Sequence, residues 1–253
     1  MKFSIITPTY KRPKELIRAV QSVLDQNYSD FEMIIVNDSP DFDYSEFENG
    51  EGIKDNRIRY FKNKKNMGVN FTRNFAIKNI SQNSDYILLL DDDDWLNENC
   101  LYEAKRNIKE NPKYSWYVSN RYNFNKNKSI TNNKVDKKEI TYLTDYLILK
   151  KFKGDATHII STKYKNVKFS KKVKQAEEWL YCTQLSKKFL YYDYDSTFSE
   201  GYENQGITKT YKNKIERLRN TYKLFSELFE LKKFNFLLWF VYLPLRIGSI
   251  ILK

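Results

Sequence analysis

The fold class of this chain is decided by the stretch Tyr86-Ile87-Leu88-Leu89-Leu90-Asp91-Asp92-Asp93-Asp94-Trp95. Its first half is short and rich in large aliphatic residues, which is typical of a strand buried on both faces of a parallel sheet. The aspartates follow at the carboxyl end of that strand, where open α/β sheets bind their ligands. The stretch therefore predicts an α/β fold with a ligand site at this edge of the sheet.

The run of acids at Asp91–Asp94 allows two interpretations. Adjacent carboxylates repel one another, and a divalent cation would offset that repulsion. Mg²⁺ and Mn²⁺ prefer hard oxygen ligands, and Mg²⁺ sites commonly take substrate phosphates as well. The simpler interpretation is a solvated acidic turn that caps the following helix, because helix N-termini favour Asp. The run alone does not separate a metal–diphosphate site from such a turn.

Composition limits the classes of protein that the chain can belong to. Its 253 residues carry a net charge of +12, with 41% hydrophobic and 16% aromatic residues. Such a chain can form one large or two small domains, and its basic surface could bind nucleic acid, an anionic membrane or a phosphorylated substrate. Cys100 and Cys182 match no metal-site spacing, so we expect buried thiols in a reducing compartment. The N-terminus runs directly into a strand pattern without a signal-peptide pattern, which predicts a cytoplasmic protein.

Strand and helix patterns alternate along the first part of the chain, which predicts βαβ units and a parallel sheet. The predicted strands are Lys2–Thr7, Phe31–Val36, Arg57–Phe61, Asp85–Leu90, Tyr114–Phe124, Ala156–Ser161 and Phe189–Asp195. The predicted helices are Pro13–Gln26, Gly68–Ser81, Asn97–Glu110, Thr141–Lys151 and Lys171–Leu185.

The C-terminal part differs in kind from the alternating region. Asn213–Leu231 has apolar residues at three–four spacing and a basic opposite face, which predicts an amphipathic helix. Phe236–Leu252 is apolar except for Arg246, but it is short for a spanning helix, which needs roughly 20 apolar residues. A basic amphipathic helix before an aromatic, apolar tail is typical of a monotopic membrane anchor. The alternative is a C-terminal helix that packs on the catalytic domain or on a partner subunit.

Five motifs follow one another in an order that identifies a family. They are Thr7-Pro8-Thr9-Tyr10, Asn37-Asp38, Asn66-Met67-Gly68 with Arg73-Asn74, Asp91-Asp92-Asp93-Asp94 and Glu177-Glu178-Trp179. In this order they resemble the GT-A glycosyltransferases of family 2, the large inverting group that uses nucleotide-diphosphate sugars. The resemblance covers roughly Lys2 to Tyr202.

The resemblance implies a GT-A fold, which is a Rossmann-like nucleotide-binding mixed sheet flanked by helices, here with a C-terminal helical extension. We divide the chain into a catalytic domain at 1–205 and an extension at 206–253, a candidate membrane-associating tail. Within the catalytic domain, 1–96 is the nucleotide-sugar-binding half and 97–205 is the acceptor-binding half.

For the donor, the resemblance implies that Thr7 and Tyr10 border the nucleoside and that Asp38 accepts the imide hydrogen of uracil. Asn37 stands where an acidic residue is often found, so uridine is favoured, with thymidine and guanosine as alternatives. Tyr10 and Asp38 could also be ordinary turn residues. The full set of donor-binding candidates is Thr7, Thr9, Tyr10, Arg12, Asp38, Asn66, Gly68, Arg73, Asp91, Asp92 and Lys209.

The acids and a later glutamate pair complete the implied site. Asp91 and Asp93 match the family's paired acids, so Asp93 would bind Mn²⁺ or Mg²⁺ directly, with Asp91 beside the ribose and the metal. Glu178 matches the catalytic base, with one methylene more than the usual aspartate, and Glu177 is the alternative base. A solvated acidic pair on a helix is the simpler interpretation. His158 is the only histidine, and a lone histidine is usually structural.

Together these residues predict a metal-dependent inverting hexosyl- or N-acetylhexosaminyltransferase. It would move a sugar from a nucleotide-diphosphate donor, with UDP-sugars favoured, to a glycan or lipid-linked acceptor. The basic surface and apolar tail predict peripheral contact with an anionic membrane at the inner face of the cell, in surface polysaccharide or glycolipid synthesis. The sequence does not decide the oligomeric state, and a homo-oligomer is one alternative.

Two other functions agree with parts of the sequence. A nucleotidyltransferase would show a Gly-rich first loop with Lys or Arg, and residues 7–12 lack the glycines. A basic nucleic-acid-binding protein would fit the charge and the aromatic residues. The acid cluster argues against it, as does the lack of a helix-turn-helix or zinc motif, so we expect no nucleic-acid partner.

Overall fold

A mixed β-sheet runs through the structure, a computed structural model that describes residues 1–134, 138–174, 177–200, 213–231 and 235–252. The strands are β1 (Phe3–Thr9), β2 (Phe31–Asn37), β3 (Ile58–Lys62), β4 (Tyr86–Leu89), β5 (Asp94–Leu96), β6 (Trp116–Asn123), β7 (Lys128–Ser129), β8 (Asn132–Asn133), β9 (Glu139–Thr141), β10 (Phe152–Lys153), β11 (Ala156–Ser161) and β12 (Lys188–Ser199).

The helices are α1 (Pro13–Leu24), α2 (Ser45–Glu48), α3 (Val69–Lys78), α4 (Cys100–Glu110), α5 (Glu178–Cys182), α6 (Lys214–Glu230) and α7 (Leu243–Ile251). Tyr142–Ile148 and Leu237–Tyr242 are π-helical, and Gly52–Lys54 and Thr162–Tyr164 form short 3-10 turns. Among the described helices, none is both long enough and apolar enough to cross a bilayer.

The sheet has the order β3-β2-β1-β4-β11-β6-β12-β5. Its first four strands are parallel, β11 is antiparallel to both β4 and β6, and β12 is parallel to β6. In the register of β1, Thr9 lies opposite Asn37 of β2, and Ile6 lies opposite Leu89 of β4. The residues that follow β1, β2 and β4 therefore emerge at one edge, as the sequence predicted.

Two apolar clusters cover the two faces of the sheet. Alternate strand residues point to opposite faces, so Ile6 and Ile34 join the cluster under α3, whereas Ile5 and Met33 join the cluster under α1 and α4. Burial of each such side chain contributes about 1.5–3 kcal/mol. Coverage of both faces explains why the strands read as continuous apolar runs.

The C-terminal helices share the core beneath α3. Leu224, Phe225 and Leu228 of α6 are buried there, together with Leu238 and Tyr242. One face of this helical pair therefore packs on the catalytic domain, which was one of the two interpretations of the apolar tail.

The structure differs from the sequence prediction at Lys171–Leu185, where the described α-helix is only α5. The chain after Ser170 forms a turn instead, because Glu227 of α6 accepts hydrogen bonds from the Ser170 hydroxyl (2.5 Å) and the Lys171 amide (2.9 Å). The Ser170 hydroxyl in turn accepts from the amides of Lys172 and Val173. These side chains satisfy backbone groups that a helix would otherwise satisfy.

The short strand β5 also escaped the sequence prediction. Asp94 and Leu96 pair with Ser199 and Thr197 of β12, which extends further than predicted. Because the partner strand lies about a hundred residues away in the chain, no local pattern marks Asp94–Leu96 as extended.

Candidate active site

A cleft of about 850 Å³ opens at the carboxyl edge of β1, β2 and β4. It brings together most of the residues that the sequence singled out. These are Thr9, Tyr10, Arg12, Asp38, Asn66, Gly68, Arg73, Asp91, Asp92, Asp93, Glu177 and Glu178. The cleft therefore joins the donor-binding candidates to the candidate bases in one cavity.

Two residues of the sequence prediction or its argument do not line the cleft. Thr7 is fully buried in β1, and its hydroxyl has no hydrogen-bond partner in the described part of the chain. Asn37 is also fully buried, donates to the Tyr60 hydroxyl (2.8 Å) and accepts from the Ser39 amide (2.8 Å), which fits a structural turn. Lys209 lies outside the described residues.

Asp38 holds the loop that leads into α3. Its Oδ1 accepts from Asn63 Nδ2 (2.7 Å) and the Met67 amide (2.8 Å), and its Oδ2 accepts from the Gly68 amide (2.8 Å). A carboxylate has about four acceptor positions, so one remains on Oδ2 for a ligand. Asp38 can therefore position the loop and still accept one further hydrogen.

Gly68 is required where this loop meets the segment before α5. Its φ of +88° lies in the region that side chains other than glycine rarely adopt. An added Cβ would lie 2.7 Å from Lys174 Cβ and 2.8 Å from the Lys174 carbonyl oxygen. The backbones of Gly68 and Lys174 therefore approach each other closely in the wall of the cleft.

Three of the four adjacent aspartates could share a cation. Asp91, Asp93 and Asp94 each offer a carboxylate oxygen, and these oxygens lie within 4.8 Å of one another. An all-carboxylate set suits Mg²⁺ or Mn²⁺. The arrangement fits the predicted pair Asp91 and Asp93 and adds Asp94, although Arg12 Nη1 lies 2.6 Å from Asp93 Oδ2.

Burial and neighbouring arginines separate the pKa values of these acids. Burial raises the pKa of Asp92 to about 7, although Arg12 opposes the shift. Burial also raises the pKa of Asp94 well above its usual range, against the nearby Arg121. For Asp91, burial is outweighed by the guanidinium groups of Arg73 and Arg121, and the pKa is lowered. Asp91 therefore stays ionised.

Arg73 connects the aspartates to the candidate base. Its guanidinium is buried, and it donates from Nη2 to Asp91 Oδ1 (2.6 Å) and from Nη1 to Glu178 Oε1 (2.7 Å). Glu178 is the first residue of α5, and its side chain remains 40% exposed. Its Oε2 accepts no hydrogen bond from the described residues, so this oxygen is available to a ligand in the cleft.

Glu177 has a different environment from its neighbour. Arg246 of α7 donates from Nη2 to both carboxylate oxygens of Glu177, at 2.7 Å each. The Glu177 side chain is 12% exposed. The geometry therefore favours Glu178 over Glu177 as the group that can accept a proton from a ligand.

His158 lies on β11 and lines the cleft. Its Nδ1 accepts a hydrogen bond from Trp116 Nε1 (3.0 Å), and burial lowers its pKa. The ring is therefore neutral near neutral pH, with its proton on Nε2.

The sequence analysis missed several residues that line the cleft. Arg121 Nη2 donates to Asp94 Oδ1 (2.7 Å), and burial raises the pKa of Asp155, which lies 3.9 Å from Arg121 Nη1. The position of Arg121, the single charged residue of β6, could have indicated that it belongs to the site. The rings of Tyr142 and Tyr146 stack with their centres 5.2 Å apart and also line the cleft. No sequence signal indicates them as site residues, because they belong to a helical segment far from the motifs.

The parallel strands, the antiparallel strands beyond them and the acids at one edge define the GT-A architecture. The fold is similar to that of S. aureus TarS 1–349 in complex with UDP-GlcNAc, with a TM-score of 0.72 and 19% identity, over 90% of this chain and 66% of that chain. The model of Glycosyl transferase family 2 matches residues 4–170. The chain belongs to this family, so the predicted family and fold class are confirmed.

Two curated relatives have a higher sequence identity to this chain over shorter aligned stretches. An uncharacterized glycosyltransferase of Rickettsia bellii is 40% identical over 110 residues, which is 44% of this chain and 15% of that protein. The GalNAc(5)-diNAcBac-PP-undecaprenol beta-1,3-glucosyltransferase of Campylobacter jejuni is 32% identical over 101 residues, which is 40% of this chain and 32% of that protein. The chain thus aligns with a third or less of each relative.

Proposed function

We propose that this chain is a metal-dependent inverting glycosyltransferase that uses a nucleotide-diphosphate sugar, with UDP-sugars favoured. One observation carries the proposal. A single cleft holds the acceptor oxygen of Asp38, the carboxylates of Asp91 and Asp93, and the carboxylate of Glu178. These groups match the parts of the reaction in order: nucleobase, diphosphate and acceptor hydroxyl.

The donor would lie along the carboxyl edge of the parallel strands. Asp38 would accept from the base, and Tyr10, which is 46% exposed, would lie beside the ring. Arg12 and the buried Arg73 supply positive charge next to the aspartates. Cations at this edge favour a diphosphate, because charge pairs strengthen where water is excluded.

The metal would be held by Asp93 and Asp91, with Asp94 close enough to contribute. Bound Mn²⁺ or Mg²⁺ would supply charge stabilisation for the departing diphosphate. Arg12 contacts Asp93 in this structure, so donor and metal binding would exchange this ion pair for contacts to phosphate.

Glu178 would act as the general base. The acceptor oxygen forms a bond to the anomeric carbon while the bond from that carbon to the diphosphate oxygen breaks on the opposite face, which inverts the configuration. The hydroxyl proton moves to Glu178, and Arg73 keeps this carboxylate in place. Positioning both substrates in one cleft lowers the entropic barrier to this step.

The acceptor is proposed to be a glycan or a lipid-linked glycan in surface polysaccharide or glycolipid synthesis. The name of the C. jejuni relative describes a sugar transfer to an undecaprenol-linked glycan, which supports a lipid-linked acceptor. The TarS structure contains UDP-GlcNAc, which supports a UDP-linked hexose or N-acetylhexosamine. We also propose peripheral contact of the C-terminal helices with the anionic inner face of the membrane.

The test is a donor panel with Mn²⁺ and candidate acceptors, scored for nucleoside diphosphate release and donor binding. Glu178→Gln should leave the donor Kd within about 2-fold and reduce transfer by at least about 100-fold, the usual share of a general base. Asp93→Asn should weaken metal-dependent donor binding by about 10-fold or more, because one charged ligand is lost.

Tyr102→Ser is the matched control, since Tyr102 is exposed on α4 and does not line the cleft. Normal transfer by the Glu178 variant would show that the base is another group. Release of pyrophosphate from a nucleoside triphosphate incubated with a sugar phosphate would favour a nucleotidyltransferase. Salt-dependent binding of nucleic acid without donor binding would favour a nucleic-acid-binding protein.

A further inference from the structure

One side chain of the C-terminal helix α7, that of Arg246, contacts a residue that lines the cleft. Arg246 is the only charged residue in Phe236–Leu252. Beyond its two contacts to Glu177, its Nε lies 3.2 Å from the Thr221 hydroxyl of α6, and its Nη1 lies 3.4 Å from the Tyr242 hydroxyl. This side chain therefore connects both C-terminal helices to the residue immediately before α5.

The partners of Arg246 make the contact specific. Its side chain is 20% exposed, and the guanidinium carbon lies 5.5 Å from the centre of the Trp179 ring. Burial alone would lower the pKa of Arg246, but the carboxylate of Glu177 outweighs it and the pKa is raised, so the guanidinium stays charged. A lysine could neutralise Glu177 but could not reproduce the planar set of hydrogen bonds.

Helix α5 depends on contacts from outside itself. It spans only five residues, Glu178–Cys182, so its own backbone hydrogen bonds hold it weakly. Trp179 packs against Phe225 of α6 at 5.2 Å and Tyr242 at 5.4 Å. The candidate base Glu178 thus lies between two residues, Glu177 and Trp179, that the C-terminal helices hold.

We propose that Arg246 is a positioning residue for the transfer reaction. Through its paired hydrogen bonds to Glu177 it sets the orientation in which α5 presents Glu178 to the acceptor hydroxyl, so the C-terminal helices complete the active site. This inference rests on the proposed role of Glu178. It assigns Glu177 to the anchoring of α5 and removes it from the proton transfer.

The same connection links the active site to the surface that is proposed to meet the membrane. An apolar groove of about 480 Å³ lies between the C-terminal helices, and its lining includes Thr221, the hydrogen-bond partner of Arg246. Glu177 lines the catalytic cleft. A change in the packing of α6 and α7 would therefore alter the position of Glu178, because Thr221, Arg246 and Glu177 are connected by hydrogen bonds.

The experiment compares Arg246→Lys, Arg246→Met, Glu177→Gln and the Arg246→Met/Glu177→Gln double variant in the full chain. Steady-state kcat, the acceptor KM, the donor Kd and the Tm are measured for each. We expect kcat to fall by about 10-fold to 100-fold in each single variant, because a base displaced by about 1 Å loses this much. The donor Kd should stay within about 2-fold, since the donor residues are untouched.

The double variant should lose no more kcat than the worse single variant, because the two residues act as a unit. Lys172→Met is the matched control. It breaks another ion pair between the catalytic domain and α6, Lys172 Nζ to Glu230 Oε1 at 2.5 Å, without touching α5, and its kcat should stay near the wild-type value.

Two results would overturn the proposal. One is an unchanged kcat in Arg246→Lys and Arg246→Met together with a lowered Tm, which would make the ion pair purely structural. The other is an equal loss of kcat in Lys172→Met. If Glu178→Gln still transfers sugar, the proposed function of Glu178 fails first. If that variant is inactive while the Arg246 variants are fully active, only the present inference fails.

Discussion

At the scale of single residues, two adjacent side chains of the same type can differ in pKa or in ion-pair partner, because their surroundings differ. Arg73 keeps Asp91 ionised, whereas burial raises the pKa of Asp92 to about 7. Glu177 and Glu178 differ in their partners, since the first pairs with Arg246 and the second with Arg73. Motif position alone could not assign these roles.

The residue-scale prediction concerns Gly68. We expect Gly68→Ala to lower the free energy of unfolding by about 1–3 kcal/mol, because its φ is positive and the new Cβ would clash with the backbone of Lys174. Donor affinity should fall as well, since the Gly68 amide donates to Asp38. Urea unfolding and donor titration measure the two effects.

Gly248→Ala is the matched control for this substitution. Gly248 lies in α7, and an added Cβ there meets no atom within 4 Å. Alanine is the better helix former, so this variant should be as stable as the wild type or more stable, by up to about 1 kcal/mol. Equal destabilisation by both substitutions would contradict the role given to Gly68.

At the scale of secondary structure, a buried carboxylate connects several strands and a helix end through hydrogen bonds. Glu32 lies in β2 and accepts from the Ser4 hydroxyl of β1 (2.6 Å), the Ser81 amide after α3 (2.7 Å) and Arg59 Nη1 of β3 (3.1 Å). Burial alone would raise the pKa of Glu32, but these hydrogen bonds outweigh it, and the pKa is lowered from 4.5.

The element-scale prediction follows from that lowered pKa. A carboxylate with a depressed folded-state pKa contributes its full stability above the unfolded-state pKa and loses it as the pH falls through the folded-state pKa. We expect Glu32→Gln to reduce the free energy of unfolding at neutral pH by about 1–3 kcal/mol. The difference from the wild type should shrink below about pH 4, where the unfolded carboxylate is protonated.

Urea unfolding at several pH values measures this effect. Glu46→Gln on the short helix α2 is the control, because its side chain is exposed and its substitution should change little at any pH. A difference between wild type and Glu32→Gln that stays constant down to the acid range would contradict the pKa argument.

At the scale of the whole molecule, the C-terminal helices present two opposite faces. One face joins the core through Leu224, Phe225 and Leu228. The other exposes large apolar side chains on a protein with a net charge of +12. These exposed side chains are Ile215, Tyr222, Phe229, Leu231, Phe236, Phe240, Leu245, Ile251 and Leu252. An apolar surface on a basic protein favours an anionic membrane.

The whole-molecule prediction tests this surface with vesicles. Phe236 and Phe240 stack at 4.9 Å and are 63% and 62% exposed. Phe236→Ser/Phe240→Ser should weaken binding to vesicles that contain anionic lipid by at least about 10-fold, because two aromatic side chains lose their burial. Sedimentation with vesicles measures the partition.

Phe42→Ser is the control for the vesicle experiment, since Phe42 is 42% exposed and lies outside the C-terminal helices. Unchanged partition of the double variant would leave a partner subunit as the occupant of this surface. In that case light scattering should show an oligomer that the double variant loses.

The sequence by itself determined most of the long strands and helices and the edge of the sheet at which the candidate site lies. The reason is local, because buried strands read as apolar runs and the residues at strand ends are polar. The acids after β4 follow from that pattern, whereas Asp38 and Glu178 became site candidates through the resemblance to the family.

Only the tertiary structure decided which neighbouring acids can act and what supports them. Glu178 meets Arg73 across 105 positions of the chain, and Glu177 meets Arg246 across 69. Ion pairs over such separations leave no local pattern, because they depend on how the sheet and the C-terminal helices pack. The same packing formed the turn after Ser170 and the strand β5.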